Sequence, residues 1–190
     1  MSDTKELIIE TTIAMIRKAD GDPAKITIRE ISKEAGIAVS QINYHFQSKE
    51  NLIAQCVQRM IQGIIGLFDG IYSELENLSA FDKLRHMANM TFSFLYENEN
   101  LSRISILTDY QSSNLNDNTK STIAVYYPLV KKVCEERNIE NPRLITELLV
   151  LSLQSVFLRT DKIIEELGVN LRNSDERSRF IDNVLKQYFR

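Results

Sequence analysis

The chain has 190 residues, of which 43% are hydrophobic and 26% are charged, and it contains six Gly and three Pro. This composition excludes collagen-like, low-complexity and wholly disordered chains, and it offers too few turn-forming residues for a β-sandwich or a β-barrel. The net charge of −3 argues against a nonspecific binder of polyanions. We therefore expect an all-α protein.

The cysteines and the N-terminus bear on cellular location. Cys56 and Cys134 form no CxxC pair, which favours free thiols in a reducing compartment. The N-terminal MSDTKELIIE has no basic segment followed by an apolar one, and the longest apolar run, Leu148 to Leu151, is far shorter than a membrane span. We expect a cytoplasmic protein without a membrane partner.

Two helices are predicted at the start of the chain. Apolar residues at helical spacing indicate the first over Thr4–Ala19, and the Asp, Gly, Asp and Pro at 20–23 end it. The second begins at a capping box, in which the Thr27 hydroxyl accepts from the third helical amide and Glu30 reaches back to the cap. It ends at Gly36, which suits a left-handed C-cap.

The predicted helices continue without a strand to the end of the chain. A short third helix spans Val39–Phe46, and Ser48 caps a fourth that continues to about Leu75 and contains Gly63, Gly66 and Gly70. The later helices are predicted over Ser79–Tyr96, Leu101–Gln111, Thr119–Glu136, Asn141–Glu166 and Ser174–Tyr188. Pro128 should kink the third of these helices. Asn141 should be the N-cap of the fourth, with Pro142 as its first helical residue.

The second and third helices show helix-turn-helix spacing. The small Ser32 lies four residues before Gly36, with apolar Ile31, Ile37 and Ile42 around them, so that two short helices can cross closely. We therefore predict a three-helix DNA-binding domain over residues 1–48. A larger helical bundle over residues 49–190 follows it, for effector binding and dimerisation.

The stretch from Thr27 to Ile53, TIREISKEAGIAVSQINYHFQSKENLI, strongly resembles the N-terminal DNA-binding domain of TetR-family transcriptional regulators. The resemblance implies a homodimer that binds a double-stranded DNA operator. In such a dimer the third helix of each subunit enters the major groove of the operator. The residues it assigns to that groove are Val39, Ser40, Gln41, Asn43 and Tyr44. The positions that in the family usually face phosphates or brace the motif are Thr27, His45 and Lys49.

Three positions depart from the commonest pattern of that family. Ala38 stands where Ser or Thr often caps the third helix, Ser40 where Gly is frequent, and Asn43 where Tyr is usual. The operator sequence therefore cannot be taken from relatives. Gln41 and Asn43 are the best candidates for base reading, because each amide can pair bidentately with adenine.

The two last predicted helices have more apolar surface than one domain needs. The helix from Leu144 to Ile164 is apolar on two sides, and the final helix is apolar on one face, so the two can form a four-helix interface across a two-fold axis. The alternative is a monomer with a thick core. The predicted dimer interface comprises Leu148, Ser152, Val156, Phe180, Val184 and Tyr188.

The middle helices carry polar groups among apolar rows, as a cavity for a small molecule requires. The candidate ligand-binding residues are Met87, Thr91, Phe94, Arg103, Tyr110 and Gln154. If Arg103 is buried, it needs a negative partner, which Asp109, Glu97 or an anionic ligand could supply. The sequence does not identify the effector.

No catalytic or metal-binding constellation is found. His45 and His86 have no Cys or carboxylate at ligand spacing, and the sequence lacks GxSxG, HExxH and a phosphate-cradling Gly-rich loop. We expect no cofactor, no metal and no enzymatic activity. The leading hypothesis is a small-molecule-responsive repressor; the alternatives are a helical DNA-binding architectural or interaction protein controlled by a protein partner, and an enzyme with its active site in the C-terminal bundle.

Overall fold

The computed structural model describes residues 2–18, 26–59, 77–111 and 117–190. All the regular secondary structure in these ranges is helical, so the predicted all-α class is confirmed. No helix within them is both long enough and apolar enough to cross a membrane. The breakers at 20–23 and the three glycines Gly63, Gly66 and Gly70 lie outside the described residues.

Most helix boundaries agree with the sequence to within two residues, and those of α3 and α10 agree fully. The helices are α1 (Ser2–Lys18), α2 (Ile28–Ala35), α3 (Val39–Phe46), α4 (described over 49–59), α5 (Ala80–Glu97), α6 (Glu99–Gln111), α7 (Asn118–Arg137), α8 (Pro142–Leu158), α9 (Thr160–Leu167) and α10 (Ser174–Tyr188). Pro128 lies inside α7.

The helix starts follow from local hydrogen bonds. At α2, the Thr27 hydroxyl accepts from the Glu30 amide at 3.2 Å, and the Glu30 carboxylate accepts from the Thr27 amide at 2.7 Å. Ser48 accepts from the Asn51 amide at 3.1 Å at the start of α4, and Ser79 accepts from the Asp82 amide at 3.1 Å before α5. Each cap satisfies an amide that the first helical turn would otherwise leave without a partner.

The predicted helix from Asn141 to Glu166 is wrong in two respects. Asn141 has a left-handed backbone with φ of 59°, and its side chain makes no capping hydrogen bond. The helix also stops at Leu158, and α9 begins at Thr160. The Thr160 hydroxyl lies 2.7 Å from the Tyr96 hydroxyl of α5 and also donates to the Phe157 carbonyl at 2.7 Å. A contact with a distant helix therefore accompanies the break, and no local pattern shows such a contact.

The chain divides into two compact units, Met1–Gly66 with Asn98–Asn118, and Leu67–Glu97 with Thr119–Arg190. In the first, α1 packs against α2, α3 and α6. Buried apolar side chains of the first three helices form its core, among them Ile8, Ile16, Ile31, Ile42 and Phe46. In the second, α5 packs against α10. Its largest buried side chains include Phe92, Tyr126, Phe157 and Phe189.

Candidate nucleic-acid interface

The turn between α2 and α3 is fixed by two residues that the sequence analysis singled out. Gly36 adopts the left-handed conformation, with φ of 65°, and ends α2. The Ser32 hydroxyl is largely buried and donates to the Ile37 carbonyl at 2.6 Å, across the turn. The small side chain thus both permits the close approach and adds a hydrogen bond that holds α3 in place.

The helix α3 has one buried face and one exposed face. Ile42 and Phe46 are buried in the core of the first unit. The five residues predicted to enter the major groove are all exposed, namely Val39, Ser40, Gln41, Asn43 and Tyr44. Ala38 precedes α3 without a side-chain cap, as the sequence indicated. Hydrophobic packing therefore presents the whole predicted reading face to solvent.

A groove of about 380 Å³ runs beside this face. Its lining combines α3 with the first turns of α1, and consists of Thr4, Ser40, Gln41, Tyr44 and His45. Sequence reasoning missed Thr4, because spacing along the chain does not show which end of α1 lies against α3. Lys5 is next to it, with its ammonium group 5.9 Å from the centre of the Phe46 ring.

The residues predicted to brace the motif or to face phosphates have different environments. The Thr27 hydroxyl is engaged in the capping box, where it also donates to Glu30 at 2.9 Å. His45 is half-buried, and its ring meets that of Tyr44 edge to face at 5.1 Å. Lys49 is half-buried at the start of α4. The hydrogen bonds from Thr27, and then the charge of Lys49, lower the pKa of Glu30.

Solved structures share this architecture over nearly the whole chain. A TetR transcription regulator from Haloarcula marismortui is 16% identical, with a TM-score of 0.64, and the match covers 100% of this chain and 97% of that one. The fatty acid degradation regulator FadR from Bacillus halodurans is 20% identical, with a TM-score of 0.63 and coverage of 98% and 94%. At these identities the likeness shows the fold alone.

The sequence adds the family to this likeness. Residues 8–56, from α1 into α4, match the family described as bacterial regulatory proteins, tetR family. Over these residues the chain is similar to the N-terminal domain of TetR-family regulators. No curated protein matches it in sequence. The matched residues are those that build the helix-turn-helix.

The predicted dimer residues lie on α8 and α10. Leu148 is exposed, whereas Ser152, Val156, Phe180, Val184 and Tyr188 are half-buried. The Tyr188 hydroxyl donates to the Leu148 carbonyl at 3.2 Å and to the Ser152 hydroxyl at 3.1 Å. These hydrogen bonds join α8 and α10 within one chain. The Leu148 side chain on α8 remains exposed to solvent beside them.

The six predicted effector residues are divided between the two units of the chain. Met87, Thr91, Phe94 and Gln154 belong to the second unit, and Arg103 and Tyr110, on α6, to the first. Met87 and Gln154 are buried, Thr91, Phe94 and Arg103 are half-buried, and Tyr110 is exposed. The Gln154 amide donates to the Thr119 hydroxyl at 3.0 Å, so that it already has a protein partner.

Sequence reasoning considered Arg103 as a buried arginine, but the buried one is Arg177. Its guanidinium donates to the Leu171 and Arg172 carbonyls at 3.0 and 3.2 Å, and to the Ser93 hydroxyl at 3.1 Å. It also lies 5.1 Å from the centre of the Tyr96 ring. The sequence offered no signal for this role, since an arginine in the first turns of a polar helix is typical of a solvent-exposed position.

Proposed function

We propose that this TetR-family chain is a repressor that binds a pseudo-palindromic operator as a homodimer and is released by a small-molecule effector. In this proposal residues 1–48 read the DNA, and residues 49–190 hold the effector and the dimer interface. The observation that carries the proposal is the exposed face of α3, on which Gln41 and Asn43 point to solvent from a helix anchored by Ile42 and Phe46.

The proposed division of labour on this face follows from side-chain chemistry. The amides of Gln41 and Asn43 can each offer one donor and one acceptor to adenine, and a good bidentate pair discriminates by about 1 to 3 kcal/mol. Lys49 would contact a phosphate, which contributes affinity but no base information. Thr4 and Tyr44 line the groove beside α3 and add hydroxyl donors for the DNA backbone.

A titration of fluorescent random-sequence duplexes at several salt concentrations tests the DNA contact. Each neutralised phosphate contributes about 0.9 to the slope of log affinity against log salt, so that Lys49→Ala should reduce the slope by about 2 in a dimer. Lys186→Ala, an exposed lysine on α10, should leave it unchanged. Equal slopes for the wild type and Lys49→Ala would show that Lys49 does not contact a phosphate.

The proposed dimer rests on an apolar edge of α8. Leu144, Leu148 and Leu151, one turn apart, are 56%, 48% and 37% exposed. Three leucines in one row make an apolar surface that a second copy of the same helix can cover, because a two-fold axis brings identical patches together. Val156 on α8 and Val184 on α10 are half-buried, and the proposed interface includes them.

Sedimentation velocity distinguishes a dimer edge from incidental exposure. Leu148→Glu should shift the protein towards the mass of one chain, because each subunit would place a carboxylate in an apolar interface. Leu107→Glu is the matched control, since Leu107 on α6 is 43% exposed and lies outside the proposed edge. A Leu148→Glu protein that retains its helical circular dichroism and its wild-type mass would contradict the proposed interface.

The effector part of the proposal is supported by polar groups within the apolar second unit. Thr91 and Gln154 lie among buried side chains that include Met87, Phe92 and Phe157. A small-molecule site needs this combination of an apolar lining and a few polar atoms. Release of DNA then requires that the effector bind more tightly to a conformation of the protein that does not bind DNA. The coupling free energy between effector binding and DNA binding in such systems is typically about 1 to 3 kcal/mol.

A further inference from the structure

A buried tyrosine hydroxyl in the second unit has no hydrogen-bond partner among the described residues. Tyr126, on α7, is only 2% exposed, and its hydroxyl oxygen is inaccessible to solvent. Burial raises the pKa of Tyr126, so that the phenol stays protonated and retains its donor. Buried polar groups are nearly always satisfied, and an exception calls for an explanation such as a bound molecule.

The Thr91 hydroxyl acts on Tyr126 but directs its own proton elsewhere. The Thr91 hydroxyl of α5 lies close enough to oppose the rise in the pKa of Tyr126, although no hydrogen bond of normal geometry joins the two. The Thr91 proton is directed to the Met87 carbonyl at 2.9 Å. The Tyr126 hydroxyl is therefore the one of the two that can still donate a hydrogen bond to an added molecule. Both hydroxyl oxygens still have lone pairs that can accept one.

The second polar group on the same face of α7 is already paired. Thr119, Ile123 and Tyr126 follow at helical spacing and are all buried. Thr119 exchanges hydrogen bonds with Gln154 of α8, at 3.0 and 3.4 Å. Of the polar side chains on this face, Tyr126 is thus the one that has a donor to offer to an added molecule.

The electrostatic environment restricts the charge of such a molecule. Among the described residues, Arg177 is the only charged side chain in the buried class, at 8% exposed. Its guanidinium is directed to two carbonyls and to Ser93. No described Asp or Glu of this unit falls in the buried class, although the Oδ1 atom of Asp182 on α10 is itself inaccessible to solvent. Burial and the Thr91 hydroxyl alone shift the pKa of Tyr126, so that no described charged side chain acts on its hydroxyl. An ionised group placed beside it would have no counter-charge there, and burial of an unpaired charge is strongly unfavourable.

We propose that the Tyr126 hydroxyl donates a hydrogen bond to an oxygen atom of an uncharged, mainly apolar effector. This inference rests on the proposed control by a small molecule and specifies the chemical class of that molecule. Met87, Phe92 and Ile123 are buried and lie within one helical turn of Thr91 or Tyr126 along the chain, and we expect them to provide the apolar contacts. The proposed neutral effector differs from the anionic one considered on account of Arg103, which is a residue of the first unit.

Four eight-carbon probes that differ only in their polar group test the class of ligand. Calorimetric titration of the full chain with 2-octanone, 1-octanol, octanoate and octylammonium should give measurable binding for the two neutral molecules only. The 2-octanone carbonyl can only accept, so its binding examines the donor role of Tyr126 directly. Tighter binding of either charged probe, or no binding of either neutral probe at its solubility limit, would overturn the assignment.

The variant Tyr126→Phe removes the hydroxyl and keeps the ring. It should weaken 2-octanone binding by about five- to tenfold, as expected for one hydrogen bond to a neutral group. It should leave the melting temperature of the free protein unchanged or raised, since the hydroxyl has no described partner to lose. Tyr96→Phe is the matched control, because the Tyr96 hydroxyl is 2.7 Å from that of Thr160 and its loss should lower the melting temperature.

These measurements separate the inference from the function on which it rests. A lower melting temperature for Tyr126→Phe, equal to that for Tyr96→Phe, would show that the hydroxyl is already satisfied and would refute the inference. Failure of the free wild-type protein to bind operator DNA would refute the proposed function instead. Octanoate binding that releases DNA would support small-molecule control while overturning the neutral class.

Discussion

Replacement of Gly36 by alanine tests the geometry that sets the recognition helix in place. Gly36 has φ of 65°, and a Cβ built on it would meet nothing within 4 Å. The penalty therefore comes from the left-handed backbone, about 1 to 2 kcal/mol for an L-residue. Alanine also restricts the unfolded chain more than glycine does, and this lower entropy of the unfolded state offsets about 0.4 to 1 kcal/mol of the penalty. We expect Gly36→Ala to lower the free energy of unfolding by about 1 kcal/mol.

Differential scanning calorimetry and urea unfolding measure this effect, and Gly168→Ala is the matched control. Gly168 ends α9 with φ of 66° and equally open space, but it lies outside the helix-turn-helix. For a chain of this size, 1 kcal/mol corresponds to a shift of about 2 to 4 °C in the melting temperature. Both variants should show a shift of this size.

DNA binding at a temperature where both glycine variants are folded separates stability from recognition. Neither should change duplex affinity by more than about twofold, because the exposed side chains of α3 are retained and a twofold change is only about 0.4 kcal/mol. A loss of 3 kcal/mol or more for Gly36→Ala, or an increase in stability, would refute the reasoning from open space and backbone strain. Gly36→Asn should be milder, since asparagine tolerates this conformation better.

Three further predictions concern the capping box of α2 and the buried thiol of Cys56. Thr27→Ala should lower the stability of the helix-turn-helix by about 1 kcal/mol. Since the pKa of Glu30 is lowered from 4.5 in the folded state, its stabilising contribution is present above pH 4.5 and is lost as the pH falls through the folded pKa. Urea unfolding at pH 7 and pH 3 should show that Glu30→Gln loses part of this pH dependence, and an unchanged dependence would exclude Glu30 as a source. Burial raises the pKa of Cys56 to about 12, so that its thiol is protonated at neutral pH; a thiol reagent should label it only at the rate of unfolding, and rapid labelling of the native protein would contradict its burial.

The parts of the fold that the sequence predicted depend on contacts between residues close in the chain. The capping box of Thr27 and Glu30, the turn at Gly36 and the bounds of Val39–Phe46 each follow from residues within one or two helical turns. The same holds for α10, which begins where the Asn173 side chain accepts from two amides of its first turn. Local hydrogen bonds and local spacing were sufficient for these elements.

The parts that it missed depend on distant contacts. The break at Arg159 accompanies the pairing of Thr160 with Tyr96, 64 residues away. The position of Tyr126 against Thr91 and the burial of Arg177 against Ser93 likewise join separate helices. Sequence spacing gives the faces of helices, whereas packing decides which of them are buried.

Selection of bound duplexes from a random pool, followed by sequencing, tests the central claim that two copies of α3 read an operator. The wild-type protein should enrich two inverted half-sites whose centres are about 34 to 36 Å apart, or a multiple of that distance. Gln41→Ala and Asn43→Ala should each relax the base preference at specific positions in both half-sites. Enrichment of no sequence, or identical preferences for the wild type and both amide variants, would contradict the account.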